Sequence, residues 1–154
     1  MPGFINSIQA TLTVVDQAYT IGDSAGGLIT FPNAVREKGG CALISSIKFA
    51  AVAALAYDIF FMNADLATPA VDNAAFTAVV ADQPKMLGVI PIAATDYKKG
   101  PAAFNVATIR NVCLAVKAAA TTQDIYAYLV VNAVTQPGSV VHYLTVDFWP
   151  DSYE

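Results

Sequence analysis

Residues 7–16 read Ser-Ile-Gln-Ala-Thr-Leu-Thr-Val-Val-Asp, a stretch in which apolar and polar side chains alternate. In an extended chain its apolar side chains, from Ile8 to Val14, all face one side, and the polar ones between them face the other. Alternation of this kind is typical of a β-strand that buries one face. The same pattern returns at Cys41–Ala51 and at Phe104–Lys117. The chain is therefore expected to fold from β-strands.

Short apolar runs rich in β-branched and aromatic residues, separated by turns, extend this pattern along the whole chain. They predict eight strands, at Ser7–Asp16, Leu28–Phe31, Cys41–Ala51, Leu55–Asn63, Met86–Ala94, Phe104–Lys117, Ile125–Asn132 and Val140–Phe148. The run Phe104–Lys117 is longer than most strands, so we expect it to bend or to contain a β-bulge.

The strand at Cys41–Ala51 contains one of the two cysteines. Strict alternation places Cys41, Leu43, Ile47 and Phe49 on its buried face. Cys113 also lies in an apolar run, so both cysteines are predicted to be buried, free and inert.

One segment has helical rather than alternating spacing. Asp72 is a favourable N-cap residue, and Phe76, Val79 and Val80 follow at helical intervals with alanines between them. We therefore predict one short helix or helical turn over Asp72–Val80, between two strands.

Eight strands with one helical connection predict an all-β fold, a jelly-roll-like antiparallel β-sandwich. An immunoglobulin-like sandwich is the second choice. We expect a single β-sandwich domain over residues 1–154, with short N- and C-terminal arms at Met1–Ser7 and Pro150–Glu154.

The composition excludes several classes of protein. Only 13% of the 154 residues are charged and 56% are hydrophobic, whereas soluble domains average about 25% and 45–50%. So much apolar surface is incompatible with a disordered tail. The net charge is −4 and the only adjacent basic pair is Lys98-Lys99, so nucleic acid is not an expected partner. The apolar excess suggests surfaces shared between subunits.

No membrane partner is expected either. The longest apolar run, Phe49–Tyr57, has nine residues, whereas a membrane helix needs about 20. The N-terminus lacks the basic and apolar regions of a signal peptide. We expect synthesis in the cytoplasm without export.

The stretch Gly22-Asp23-Ser24-Ala25-Gly26 matches the G-x-S-x-G pattern of a hydrolase nucleophile elbow. An elbow needs a helix after the serine, but Leu28–Phe31 is a β-type run. In trypsin-like proteases, whose nucleophile stretch is similar, the histidine precedes the serine, whereas the single histidine here, His142, follows it. We therefore interpret the stretch as a turn in which the glycines adopt positive φ and Asp23 or Ser24 binds local backbone.

Other candidates for chemistry are single residues. His142 is predicted to be a packed or cross-strand residue. One histidine and two cysteines cannot supply a structural zinc site. Asp58, inside an apolar strand, is expected to lie in an interface or to form a cross-strand pair, with Lys48 or Arg110 as candidate partners. There is no phosphate-binding or calcium-binding motif. We expect no cofactor, no metal and no enzymatic activity.

Aromatic residues cluster late in the chain, and three interpretations stay open. They fill the core, they form a subunit interface, or they form a platform for sugar rings. The candidate interface residues are Phe4, Ile5, Tyr143, Trp149 and Tyr153.

Several short motifs resemble, in order, a known family. Tyr19-Thr20-Ile21-Gly22-Asp23-Ser24-Ala25-Gly26-Gly27 resembles the Tyr-x-x-Gly-Asp-x-x-Gly-Gly turn of small structural proteins of tailed bacteriophages. Asp72-Asn73-Ala74-Ala75-Phe76, followed by Leu87-Gly88-Val89-Ile90, is the most distinctive part. Ile125–Val130 is similar to the family's penultimate strand.

The resemblance implies a capsid decoration (cement) protein. Such a protein is a jelly roll, usually a homotrimer, that binds the major capsid protein on the outside of a phage head and stabilises the shell. The turn residues carried over are Tyr19, Gly22, Asp23, Gly26 and Gly27. No catalytic residues come with the resemblance. The expected location is the exterior of the virion. Two alternatives stay open, namely a tail, fibre or head–tail joining protein and a lectin-like carbohydrate-binding sandwich.

Overall fold

The structure is a computed structural model that describes residues 4–100, 104–133, 136–137 and 141–150. The strands within these residues are β1 (Asn6–Thr13), β2 (Asp23–Phe31), β3 (Cys41–Ala51), β4 (Tyr57–Met62), β5 (Ala74–Ala75), β6 (Met86–Ile92), β7 (Tyr97–Lys99), β8 (Asn105–Lys117), β9 (Ile125–Val131) and β10 (Val141–Pro150). Two short 3-10 segments, Val80–Lys85 and Ala94–Asp96, precede β6 and β7.

The strands form two antiparallel sheets that pack as a sandwich. The first sheet has the order β1-β10-β3-β8-β7, and the second has the order β5-β2-β9-β4-β6. The first long strand therefore lies beside the last, and the second beside the penultimate one. This nested order is that of a jelly roll. The predicted all-β, jelly-roll-like sandwich is confirmed.

The main core fills the space between the sheets, because each strand directs alternate side chains inward. In β10, the alternate residues Leu144, Val146 and Phe148 are fully buried. The ring of Phe148 meets that of Phe31 from the opposite sheet edge-on, with centroids 5.5 Å apart. Aromatic pairs of this geometry add stability beyond the area that they bury.

The predicted bulge lies in the middle of β8. Between the pairs Ser46↔Arg110 and Ile44↔Leu114, β8 has three residues where β3 has one, Ser45. Asn111 and Cys113 in this bulge have positive φ angles of 57° and 52°.

The irregularity corrects part of the predicted inward face of β3, because Ser45 is an extra residue relative to β10 and shifts the alternation of β3 by one position. Ala42 and Ile44 are buried in β3, and Leu43 is exposed. Cys113 is exposed and Cys41 is only partly buried, so the prediction that both are buried is wrong. Both are free, as predicted.

The predicted helix at Asp72–Val80 is wrong. Ala74–Ala75 forms the short strand β5, and Asn73 has a positive φ of 56°. The Asp72 carboxylate does not cap a helix, because it accepts hydrogen bonds from residues far away in the sequence. Tertiary contacts override the local helical pattern here.

A second, smaller core lies on the outer face of the second sheet. Tyr128 and Val130 of β9 and Met62 of β4 project outward and pack under Leu66 and Ala70 from the segment between β4 and β6. The chain thus covers part of this outer face itself. The outer face of the first sheet is not part of this core.

Elsewhere the predicted strand bounds differ in detail. Cys41–Ala51 has the predicted bounds, whereas β2 begins at Asp23, five residues before the predicted start. The strand Tyr97–Lys99 was not predicted. Of the predicted arms, residues 1–3 and 151–154 lie outside the described part of the chain, whereas Ser7 and Pro150 belong to β1 and β10.

Candidate interaction surfaces

The turn predicted at Gly22–Gly26 is confined to residues 21–22, because Asp23 and the residues after it belong to β2, whose pairing with β9 shifts register between Ser24 and Leu28. Gly22, Gly26 and Gly27 have φ angles of 94°, 81° and 69°, which glycine adopts without a steric penalty. Asp23 accepts hydrogen bonds from the backbone N–H and the hydroxyl of Thr20, at 2.8 and 2.7 Å. This is the local capping expected of an aspartate in a turn.

Asp72 joins this motif to two other parts of the fold. Its carboxylate accepts hydrogen bonds from the Tyr19 hydroxyl at 2.7 Å, from the Gly26 N–H at 2.6 Å and from the Val15 N–H at 2.7 Å. Tyr19 is fully buried. Burial and the adjacent carboxylate raise its pKa, so the hydroxyl stays protonated and donates. We call Asp72, Tyr19, Gly26 and Val15 the Asp72 cluster.

A second carboxylate, that of the fully buried Asp82, fixes the segment that covers part of the second sheet. Asp82 accepts hydrogen bonds from the N–H groups of Ala67 and Val79 at 2.8 and 3.0 Å and forms an ion pair with Lys85 at 2.9 Å. These contacts, led by Lys85, hold the pKa of Asp82 below its ordinary value. Lys85 also donates to the Asp65 carbonyl, so Asp82 and Lys85 anchor both ends of the segment.

The two residues with nucleophile and base chemistry do not form a catalytic pair. Ser24 lies in β2 of the second sheet, opposite Val130, and His142 lies in β10 of the first sheet, opposite Leu12. Both are fully buried. The His142 ring packs edge-on against Phe49, and burial lowers its pKa, which favours the neutral imidazole. His142 is thus the packed strand residue that we predicted.

The predicted pairing of Asp58 with Lys48 or Arg110 is wrong, whereas its predicted alternative role in an interface stays a prediction. Asp58 belongs to β4 of the second sheet, whereas Lys48 and Arg110 belong to β3 and β8 of the first sheet. Asp58 lies on the outer face, between the buried residues Tyr57 and Ile59. The alternation in β4 predicts the face of the sheet on which Asp58 lies. It does not predict which residues of other strands lie beside it.

The outer face of the first sheet carries an open polar depression of about 600 Å³. Its main polar side chains are Ser7, Ser46, Lys48, Arg110, Thr145 and Asp147. The Asp147 carboxylate accepts hydrogen bonds from the hydroxyls of Ser7 and Ser46, on the strands to either side of β10. Hydroxyl groups thus satisfy the carboxylate, and Lys48 and Arg110 project nearby as exposed cations.

Four of the five candidate interface residues lie at the surface of the first sheet. Tyr143 and Trp149 project outward from β10 and are 44% and 48% exposed. Phe4 and Ile5, just before β1, are 71% and 57% exposed. Tyr153 lies outside the described residues. The other late aromatics are in the cores, because Tyr126 and Tyr128 pack in the smaller core and Phe148 packs in the main one.

The sequence interpretation missed a second set of exposed apolar residues. Ile21 and Val71 are 65% and 67% exposed and flank the Asp72 cluster in sequence. Neither lies in an alternating strand, so no periodic pattern marked them as exposed. They add an apolar surface close to the turn motif.

Within the described ranges, no group of three or more histidine, cysteine or acidic side chains is placed to hold a metal ion. In the same residues, no helix is both long enough and apolar enough to cross a membrane. Comparison with known proteins found no matching protein-family model and no match among curated protein sequences.

Proposed function

We propose that this chain is a structural virion protein, a capsid decoration protein that binds the outside of a phage head and stabilises the shell. The observation that carries this proposal is the Asp72 cluster. Two motifs of the resemblance, Tyr19–Gly27 and Asp72–Phe76, are far apart in the sequence but are joined by hydrogen bonds from Tyr19 and Gly26 to Asp72. Residues that stabilise a scaffold are the kind that a structural family would share.

Two further features support a binding role rather than catalysis. Ser24 and His142 are buried in opposite sheets, where a substrate does not reach them. In contrast, Tyr143 and Trp149 are exposed, and large rigid side chains of this kind contribute most to protein interfaces. The jelly roll is common to capsid and lectin domains, so the fold agrees with the proposal without selecting it.

The proposed partners are the major capsid protein and further copies of the chain, with the homotrimer as the form that the resemblance implies. The proposed location is the exterior of the capsid.

The deciding experiment is an image at side-chain resolution of virions from the phage that encodes the chain. Density for the chain on the outside of the shell is the expected result. Density in the tail, the fibres or the head–tail joint would instead support the alternative structural role. Absence of the chain from purified virions would refute both.

A biochemical test uses heads purified from a deletion strain. Added protein should bind them and raise the temperature at which they release DNA. A Trp149→Ala, Tyr143→Ala variant should bind more weakly, whereas Thr30→Ala, a change at an exposed residue of the other sheet, should bind as the wild type does.

A lectin-like function is the second candidate, because Tyr143 and Trp149 lie on the same outer face as the polar depression. Aromatic rings beside hydroxyl and amide groups are suited to stacking on sugar rings. A glycan array decides this case. Binding that is lost in Trp149→Ala would favour the lectin, and no binding to any glycan would exclude it.

A further inference from the structure

The four edges of the two sheets differ in how well they are protected from pairing with another strand. In the described residues, β5 is two residues long, β7 is three residues long and carries Lys98 and Lys99, and β6 contains Pro91. Short length, lysine and proline are the devices by which proteins protect sheet edges. β1 has eight residues with neither charge nor proline, so it has none of these protections.

The inner side of β1 is also incompletely covered. Ile8 and Ala10 face the main core but are only partly buried, whereas Leu12 at the far end is fully packed. Among the described residues, the backbone of β1 pairs with β10 alone. Phe4 and Ile5 continue the same edge and are strongly exposed. A further strand beside β1 would cover the partly buried side chains of Ile8 and Ala10.

We propose that β1 pairs with β1 of a second copy of this chain, antiparallel, about a two-fold axis at Ala10. The contact extends the first sheet across two subunits. Opposed positions have the same character: Ser7 faces Thr13, Ile8 faces Leu12, and Gln9 faces Thr11. Such a self-complementary contact is what two-fold symmetry requires.

Neighbouring side chains favour this axis over one at Gln9. An axis at Gln9 would place Asn6 opposite the apolar Leu12. The Asn6 side chain already donates a hydrogen bond to the Asn33 carbonyl at 2.9 Å. The axis at Ala10 leaves that hydrogen bond outside the paired region. It also introduces no like charges, because β1 carries none.

The proposal is independent of the virion role and makes a specific statement about assembly. A two-fold contact yields an even number of chains. The native mass should therefore be twice 16.2 kDa, or six times that value if another surface forms the homotrimer. A mass of one or three chains in light scattering would overturn the proposal.

Charge substitution tests the pairing directly. Gln9→Lys with Thr11→Lys places lysine opposite lysine across the axis, and the native mass should fall by half. Gln9→Glu with Thr11→Glu should have the same effect, and an equal mixture of the two variants should restore the wild-type mass. The matched control, Thr30→Lys with Thr121→Lys, changes two exposed threonines away from β1 and should leave the mass unchanged. A wild-type mass in both charged variants, or no recovery in the mixture, would refute the contact.

Cross-linking tests the register. Opposed Cα atoms in an antiparallel pair are about 4.5–5.5 Å apart, which is within the range that a disulfide spans. Ala10→Cys, in a Cys41→Ser, Cys113→Ser background, should form a covalent dimer on mild oxidation. Thr30→Cys in the same background should remain monomeric on a non-reducing gel. Equal cross-linking of the two variants, or none at Ala10→Cys, would refute the axis at Ala10.

Discussion

Replacement of Asp72 by alanine tests whether this residue caps a local helix or accepts hydrogen bonds from distant parts of the chain. As the N-cap of a short helix, Asp72 would contribute about 1 kcal/mol. In the structure it instead accepts hydrogen bonds from Tyr19, Gly26 and Val15. The Asp72→Ala variant leaves the buried Tyr19 hydroxyl and the Gly26 N–H without their carboxylate acceptor.

The expected loss follows from these two bonds. A hydrogen bond to a charged group contributes about 1.5–3 kcal/mol. The bonds from Tyr19 and Gly26 are partly buried, whereas the bond from Val15 is exposed, and the Val15 N–H also has the Tyr19 hydroxyl at 3.1 Å. We therefore expect Asp72→Ala to lower the free energy of unfolding by about 3–5 kcal/mol. For a chain of this size, the Tm should fall by roughly 10–15 °C.

The measurement is urea and thermal unfolding followed by circular dichroism at pH 7. Asp72→Asn keeps one oxygen acceptor and should lose about half as much stability. Asp58→Ala is the matched control, because Asp58 is a partly buried aspartate on the outer face of β4, and it should change stability by less than about 0.5 kcal/mol. A double-mutant cycle with Tyr19→Phe should show a coupling energy of about 1 kcal/mol or more. A loss near 1 kcal/mol for Asp72→Ala, without coupling to Tyr19, would refute the role of the Asp72 cluster.

Three further predictions concern acid stability and the core. Because the pKa of Asp82 is lowered in the folded state, its contribution is present above its ordinary pKa of 3.8 and is lost as the pH falls through the folded value. Asp82→Asn should therefore lose less stability than the wild type as the pH is lowered below 3.8. An equal loss in the two proteins would contradict this expectation. The pKa of His142 is lowered from 6.5, so the unfolded chain binds the proton first and stability falls as the pH drops below about 6.5, by at most about 1.4 kcal/mol per pH unit. In urea titrations at pH 5–7, His142→Phe should flatten the dependence of the free energy of unfolding on pH, whatever the variant's stability at pH 7. If the dependence is retained, another group causes it. Phe61→Ala creates a cavity beside Phe31 and should cost about 3–5 kcal/mol in chemical unfolding, so a loss under 1 kcal/mol would show that the site collapses.

Strand positions were predictable because burial of one face leaves a period-two trace in the sequence. Cys41–Ala51 has the same bounds in sequence and structure for that reason. The side chains near the bulge were not predictable, because alternation does not show where an extra residue shifts its phase. The length of β8 correctly indicated a bulge, but its location at Asn111–Cys113 needed the pairing with β3.

Some features of the candidate site were likewise predictable from the sequence, and others were not. The positive φ angles of Gly22 and Gly26 follow from local turn chemistry, which the sequence contains. The link from Gly26 to Asp72 spans 46 residues, so no local pattern indicates it. Local propensity at Asp72 indicated a helix instead. Tertiary hydrogen bonds determine the conformation of this segment, and the sequence taken alone could not rank them above the helix.

The apolar excess of the chain now has two physical explanations, namely a second core within the chain and exposed surface on the first sheet. Part of the apolar excess that suggested subunit contacts lies in the smaller core, where the segment between β4 and β6 covers Met62 and Tyr128 on the outer face of the second sheet. That portion needs no partner. What stays exposed on the first sheet is arranged unevenly, with Tyr143 and Trp149 on its outer face and Phe4 and Ile5 along its β1 edge. Since the segment between β4 and β6 already covers part of the second sheet, we propose that the contacts between subunits and with the capsid lie on the first sheet, where the substitutions at Trp149 and at Gln9 test the face and the edge separately.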